Sequence, residues 1–219
     1  MLLVLSPSAF IIPAAPTLRD RPPKGEAWLH EVKFDGYRLQ LHKDGTNVCI
    51  FSRNGADFSG RFPAIAYALK SLPVDNAIID AEAVATNSKG MPDFSALHSR
   101  VAQPEDVHCW SFDLLRHNSV DLRSWPLTAR RKKLQQILQR FDNGFLQFSQ
   151  EFSDAERLLA ECEKRGIEGI VSKRKAAPYR SGKCDWIKVK TSAWREAHKN
   201  RGELFNQERP PGSSRQGTR

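Results

Sequence analysis

The stretch from residue 28 to 53 constrains the fold most. Strand-like runs at Trp28 to Lys33, Tyr37 to Lys43 and Asn47 to Arg53 are separated by Asp35-Gly36 and Asp44-Gly45. Asp-Gly between such runs is a turn signal. In the middle run Tyr37, Leu39 and Leu41 share one face, because successive side chains of a strand alternate. The spacing predicts a meander of antiparallel strands, since the connections are too short for the crossovers that parallel strands need.

Downstream the period changes. Ile65, Leu69 and Leu72 predict a helix over 62–72, and the Ile and Val content of 77–86 predicts a buried strand. Asp93 is placed to cap a short helix reaching Val101, and 107–115 reads as a strong strand. An amphipathic helix is expected over 127–141, with Leu134, Ile137, Leu138 and Phe141 on its apolar stripe. Ser153 and Glu156 form a capping-box pattern opening a helix over 153–165, and strands are expected at 167–174 and 185–190. Strands mixed with helices, without regular βαβ alternation, indicate an α+β fold of antiparallel sheets flanked by helices.

The 219 residues suit one large domain, expected over 26–194. Residues 1–25, rich in Pro and basic residues from 13 onward, read as an irregular N-terminal lead-in, and the polar stretch from Arg195 as a disordered tail. The opening MLLVLSPSAFIIPAAP is short, broken by Pro and not preceded by basic residues, which argues against a secretory signal. No segment is long and apolar enough to span a membrane. The cysteines at 49, 109, 162 and 184 form no Cys-x-x-Cys pair, which argues against structural zinc and fits a reducing cytoplasm. A formal net charge of +9 favours a polyanionic partner, nucleic acid before membrane.

Three clusters carry the chemistry. The first is Glu31-Val32-Lys33-Phe34-Asp35-Gly36-Tyr37-Arg38, where a lysine at a strand end precedes a tight turn: either a positioned amine or a hairpin with a solvated lysine. The second is Glu168-Gly169-Ile170-Val171-Ser172-Lys173. On a regular strand Glu168 and Lys173 point to opposite faces, so a bulge or turn at Gly169 is needed to bring both to one site. The third is Trp186-Ile187-Lys188-Val189-Lys190, where Lys188 and Lys190 share a face. Either an anion sits between these cations, or they guard an edge strand against aggregation.

Taken in order, these clusters resemble the nucleotidyltransferase motifs of ATP-dependent DNA ligases, most closely the ligase domains of bacterial non-homologous end-joining ligases. Ser52-Arg53-Asn54-Gly55, Asp80-Ala81-Glu82, Phe112-Asp113-Leu114-Leu115, Pro126-Leu127 with Arg130-Arg131, and Pro178-Tyr179-Arg180-Ser181-Gly182 fit the same pattern. Ala81 stands where the family often has Gly. The likeness spans about residues 13 to 205. It implies an ATP-grasp-like nucleotidyltransferase core and ATP and Mg2+ (or Mn2+) as cofactors. Nicked or broken duplex DNA would be the substrate in repair and recombination. Such ligases usually continue into an OB-fold, and the segment after Lys190 is too short and polar for one. A separate OB-fold or end-joining partner protein is therefore a further expectation.

The resemblance also implies residue roles. Lys33 is the nucleophile that takes AMP from ATP as a phosphoramidate, and neighbouring cations such as Lys188 and Lys190 help a lysine give up its proton. Glu31 recognises the amino edge of adenine and Phe112 stacks on its ring. Arg53 and Glu82 lie near the ribose, with Arg53 also near the DNA 5′-phosphate. Arg38 assists at the phosphates, which Lys173, Lys188 and Lys190 contact. Glu168 and Glu82 hold the metal. Arg130 and Arg131 either contact the DNA backbone or solvate a helix face. The competing readings are an RNA ligase or capping-type nucleotidyltransferase, and a non-catalytic or partner-dependent DNA-end-binding accessory module.

Overall fold

A computed structural model describes residues 9–87, 92–99, 103, 106–141 and 144–199. Ten strands are arranged in two sheets among these residues. The first sheet contains β1 (Ala14–Leu18), β2 (Trp28–Lys33), β9 (Gly169–Arg174) and β10 (Gly182–Lys190), in the order β1-β10-β9-β2. The second contains β3 (Tyr37–Asp44), β4 (Asn47–Ser52), β5 (Asn76–Ala85), β6 (Val107–His117) and β7 (Val120–Asp121), in the order β4-β3-β5-β6-β7. The short β8 (Leu146–Phe148) runs parallel to β6.

The expected antiparallel meander is half right. β3 and β4 form a hairpin, with Asp44 opposite Asn47 and Gly45 at φ +57° in the turn. β2 and β3, however, belong to different sheets: β2 pairs with β9 and β3 with β4 and β5. Asp35-Gly36 therefore carries the chain from one sheet to the other. Only glycine fits at 36, since a Cβ there would lie 2.1 Å from the Ala83 carbonyl oxygen. The crossing leaves Lys33 at the end of a strand where the two sheets meet, which excludes the hairpin with a solvated lysine.

The lead-in is also corrected. Residues 14–18 form β1, which pairs in parallel with β10, and Ala14 is buried. A five-residue strand beginning Ala-Ala-Pro has little β signal of its own, so its pairing comes from tertiary contact. β1 also makes β10 an internal strand, which excludes the edge-guard reading of Lys188 and Lys190.

The helices lie near their expected positions: α1 (Pro63–Lys70), α2 (Phe94–His98), α3 (Leu127–Gln139) and α4 (Ala155–Lys164). Asp93 caps α2 by accepting from the Ala96 N–H; Val101, its expected end, lies outside the described residues. The cap of α4 is Asp154, which accepts from the Arg157 N–H, one residue after the Ser153 that the capping-box pattern indicates. A fifth helix, α5 (Ser192–Ala197), occupies the start of the expected tail; residues 200–219 lie outside the described residues.

Three apolar clusters hold these layers. α1 and α3 pack on the second sheet through Ile65, Leu69, Leu134 and Leu138 against Leu39, Leu41, Ile79 and Leu114. α4 packs behind the first sheet through Ala155, Leu158 and Cys162 against Ile170 and Val189. Ala14, Ile78, Leu115, Tyr179 and Trp186 join the sheets to each other. A cleft remains between the sheets where this third cluster gives way to polar side chains.

Candidate active site

The cleft measures about 600 Å³ and is lined from both sheets. Strand register sets the first-sheet wall. Val171 is opposite Glu31 and Lys188, while Gly169 is opposite Lys33 and Lys190. The period of two then turns Glu31, Lys33, Lys173, Trp186, Lys188 and Lys190 into the cleft, and leaves Ile170 and Val189 for α4. β3, β5 and β6 supply Tyr37, Arg38, Glu82 and Phe112 from the opposite wall, and Ser52, Arg53 and Asn54 lie at the end of β4.

Glu168 solves the parity problem. It lies just before β9, and Gly169, at φ +152°, turns the chain so that Glu168 also faces the cleft. A side chain at 169 would collide with the Val189 carbonyl oxygen, 2.0 Å from its Cβ. Glu168 is buried and clasped by two lysines: Lys33 Nζ donates to its Oε2 at 2.7 Å, and Lys190 Nζ lies 3.0 Å from its Oε1. Lys190 also sits 3.7 Å from the Trp194 ring centroid. Lys188 completes this end; burial depresses its pKa, and the charges of Lys33, Lys190 and Arg53 push the same way.

A second carboxylate, Glu31, organises the other end. Lys173 Nζ lies 2.7 Å and Arg131 Nη1 2.9 Å from its Oε1, while the Ser149 hydroxyl donates to Oε2 at 3.0 Å. Lys173 is held between two aromatic rings, 4.4 Å from the Phe112 centroid and 4.3 Å from that of Trp186. Positions 173 and 169 are about 13 Å apart along the strand at its usual rise. The cleft thus has one end built from Glu31, Lys173, Phe112 and Trp186, and another built from Lys33, Glu168, Lys188 and Lys190.

These contacts reassign several residues. Lys173, expected with the phosphate lysines, lies at the opposite end on Glu31. Arg38 lines the cleft, but its guanidinium is bound to Asp80, at 2.9 and 2.7 Å, and to the Ala14 carbonyl. Arg130 and Arg131 are 0% and 1% exposed, so neither contacts a DNA backbone nor solvates a helix face. Arg130 forms a fully buried pair with Asp113 at 2.7 Å, and Arg131 turns inward to Glu31. The reason is visible in α3. Leu127, Arg130, Arg131, Leu134, Ile137 and Leu138 form one continuous buried stripe at helical spacing, with the two arginines inside it.

Comparison with known proteins agrees with this geometry. The ATP dependent DNA ligase domain model matches residues 19–190. The chain belongs to the ATP-dependent DNA ligase domain family. The Pseudomonas aeruginosa "Multifunctional non-homologous end joining protein LigD" is 37% identical over 185 residues, covering 83% of this chain and 22% of that protein. A "Probable DNA ligase" of Dictyoglomus turgidum is 35% identical, covering 74% of the chain and 31% of the relative. The chain therefore spans between a fifth and a third of these relatives. Among solved structures, the ligase domain of M. tuberculosis LigD superposes with a TM-score of 0.73 at 29% identity, covering 82% of this chain and 60% of that one. A mycobacterial DNA ligase D complexed with ATP and MES gives 0.72 at 28%, with the same coverage.

Within this ligase fold, several cleft residues carried no role in the motif reading. Trp186 shares the strand parity of Lys188 and Lys190, so the period of two could have assigned it. Ser149 follows a three-residue strand, and Trp194 lies on a six-residue helix; neither element has a pattern long enough to be read.

Proposed function

We propose that this chain takes AMP from ATP onto Lys33 and supports the joining of DNA ends. The observation that carries this is the end of the cleft, where Lys33 meets a buried carboxylate and two further lysines. The Lys33 amine attacks the α-phosphorus of ATP, forming an N–P bond as the α–β phosphoanhydride bond breaks and pyrophosphate leaves. Glu168 Oε2, which already accepts from Lys33 Nζ, is placed to receive the proton. Lys188 and Lys190 stabilise the charge that builds on the phosphate oxygens. The held AMP then passes to a DNA 5′-phosphate, and a 3′-hydroxyl displaces it to seal the strand.

Glu31 and Phe112 are assigned to the nucleobase, and Glu82 and Arg53 to the ribose side. Arg53 is exposed at the rim of the cleft, open to a DNA phosphate as well. Arg38 acts through others, by holding β1 and β5 together behind Phe112. The surplus of basic residues supports a nucleic-acid substrate.

The carboxylates fit a divalent cation. Glu82 and Glu168 line the same cleft, and among the described residues the Glu82 side-chain carboxylate accepts no hydrogen bond. Burial pushes the Glu82 carboxyl up to about 7, with Glu168 adding to the rise, so a cation between them would relieve both effects. When bound, magnesium or manganese would neutralise phosphate charge and orient the pyrophosphate.

The test is incubation with α-labelled ATP and magnesium, followed by a denaturing gel. A labelled band absent from Lys33→Ala supports the reading; equal labelling of both proteins overturns it.

A further inference from the structure

Arg131 lies on a helix outside the cleft lining and holds several of its parts. Its Nε donates to Glu151 at 3.2 Å, Nη1 to Glu31 Oε1 at 2.9 Å and to the Phe112 carbonyl at 3.0 Å, and Nη2 to the Ser149 carbonyl at 2.7 Å. Its Cζ lies over the Phe148 ring, 4.7 Å from the centroid. One guanidinium thus ties together Glu31 on β2, Phe112 on β6 and the residue just after β8. All three of these residues line the cleft.

The bonds also leave Glu31 in a defined state. A carboxylate offers about four acceptor sites. Oε1 accepts from Arg131 and Lys173, and Oε2 accepts from the Ser149 hydroxyl. All three partners donate to the carboxylate, and the remaining acceptor capacity lies on Oε2, whose rotation the other bonds prevent. Held this way, Glu31 presents an acceptor to the cleft. It suits a purine that donates an amino group at C6 and repels one that presents a carbonyl oxygen there.

Resting on the nucleotide reading above, we propose that Arg131 and Ser149 are positioning residues that set nucleobase choice. They fix Glu31 as an oriented acceptor, so that ATP is taken and GTP refused. Both act through Glu31, Arg131 from outside the cleft lining and Ser149 from within it.

The experiment measures kcat and KM for self-labelling of the full chain with ATP, GTP and purine riboside triphosphate, which lacks the C6 amino group. Wild type, Ser149→Ala and Arg131→Lys are compared. The wild type should prefer ATP over GTP by about a thousandfold or more, since a buried polar contact would be mismatched. Ser149→Ala should narrow that preference about tenfold, through KM rather than kcat, as expected for one hydrogen bond to a charged group. Arg131→Lys keeps the charge and loses the fork, and should narrow it about a hundredfold. In both variants the advantage of ATP over the purine analogue should shrink in parallel.

A purely structural role would weaken all three nucleotides by one factor, and that result overturns the proposal. If Arg131→Lys does not fold, Ser149→Ala decides alone, because it removes one hydroxyl and leaves the backbone bond to Arg131. A wild type that takes label from none of the nucleotides overturns the adenylation reading and this proposal with it. A wild type labelled by ATP, with ratios unmoved in the variants, overturns only the positioning role.

Discussion

Glu31 and Glu168 stand on the same wall of the same cleft, each bound by two cations, yet their surroundings differ. The Glu31 group is closed: its side chain is 3% exposed, as is that of Lys173, and that of Arg131 is 2% exposed. Glu168 is just as buried, at 4%, but its partners Lys33 and Lys190 are 22% and 23% exposed. One carboxylate is locked in place by groups that cannot leave it. The other holds groups that can swing toward an incoming phosphate. Recognition requires the first arrangement, because an oriented acceptor discriminates only if it does not move. The proposed attack of Lys33 on ATP requires the second, because an amine paired to a carboxylate has to release that partner before it can react.

The largest effect tests the mobile end. Lys33→Ala should abolish labelling by ATP altogether while changing stability by less than about 1 kcal/mol, since the lost pair is partly solvated. Thermal melting and the labelling gel measure the two effects separately. A large fall in melting temperature would mean that Lys33 is a structural cation like Lys173, and the contrast between the two ends would disappear.

Next in size is the direct comparison of the two carboxylates. Glu31→Ala takes the carboxylate partner from buried Lys173 and leaves buried Arg131 with only the half-exposed Glu151, and should cost about 3–5 kcal/mol. Glu168→Ala frees two lysines that can turn to water and should cost about 1 kcal/mol. Urea unfolding of both variants, by midpoint at constant slope, gives the difference. Equal losses would break the comparison.

A smaller effect comes from Glu82, whose carboxyl is pushed by burial from 4.5 up to about 7. Between those values the folded chain keeps a proton that the unfolded chain has lost. Stability contributed by this group is therefore present at low pH and falls as pH rises through that window, levelling above it. In EDTA, wild type should lose stability between pH 5 and 8 relative to Glu82→Gln, and added magnesium should shrink the difference. Parallel pH profiles for the two proteins would remove Glu82 from the mobile end of the cleft.

Much of this was legible in the sequence, and the gaps have physical causes. The strands bearing Glu31, Lys33, Lys188 and Lys190 alternate cleanly, so their shared face could be read from a period of two. Which sheet each strand joins could not be read. Asp35-Gly36 carries an ordinary hairpin signal, and only the pairing of β2 with β9 and of β3 with β4 and β5 shows that it bridges two sheets. β1 and β8 are too short for any period, and they form only because β10 and β6 offer partners. For Arg130 and Arg131 charge points to solvent while spacing points to the core, and spacing wins. Their positions match the apolar stripe of α3, and buried acceptors supply what solvent would have.

The smallest expected effect tests how far the mobile end extends toward DNA. Arg53 is exposed at the cleft rim, and its charge already bears on Lys188. If it contacts one DNA phosphate, Arg53→Gln should lower the slope of log affinity against log salt by about 0.9, and weaken binding similarly for every sequence. Lys173→Gln, at the closed end, should leave that slope unchanged whatever it does to nucleotide binding. The comparison is a salt titration of nicked-duplex binding by both variants. An unchanged slope in Arg53→Gln would confine Arg53 to the nucleotide, and a reduced slope in Lys173→Gln would mean that the closed end is open to DNA after all.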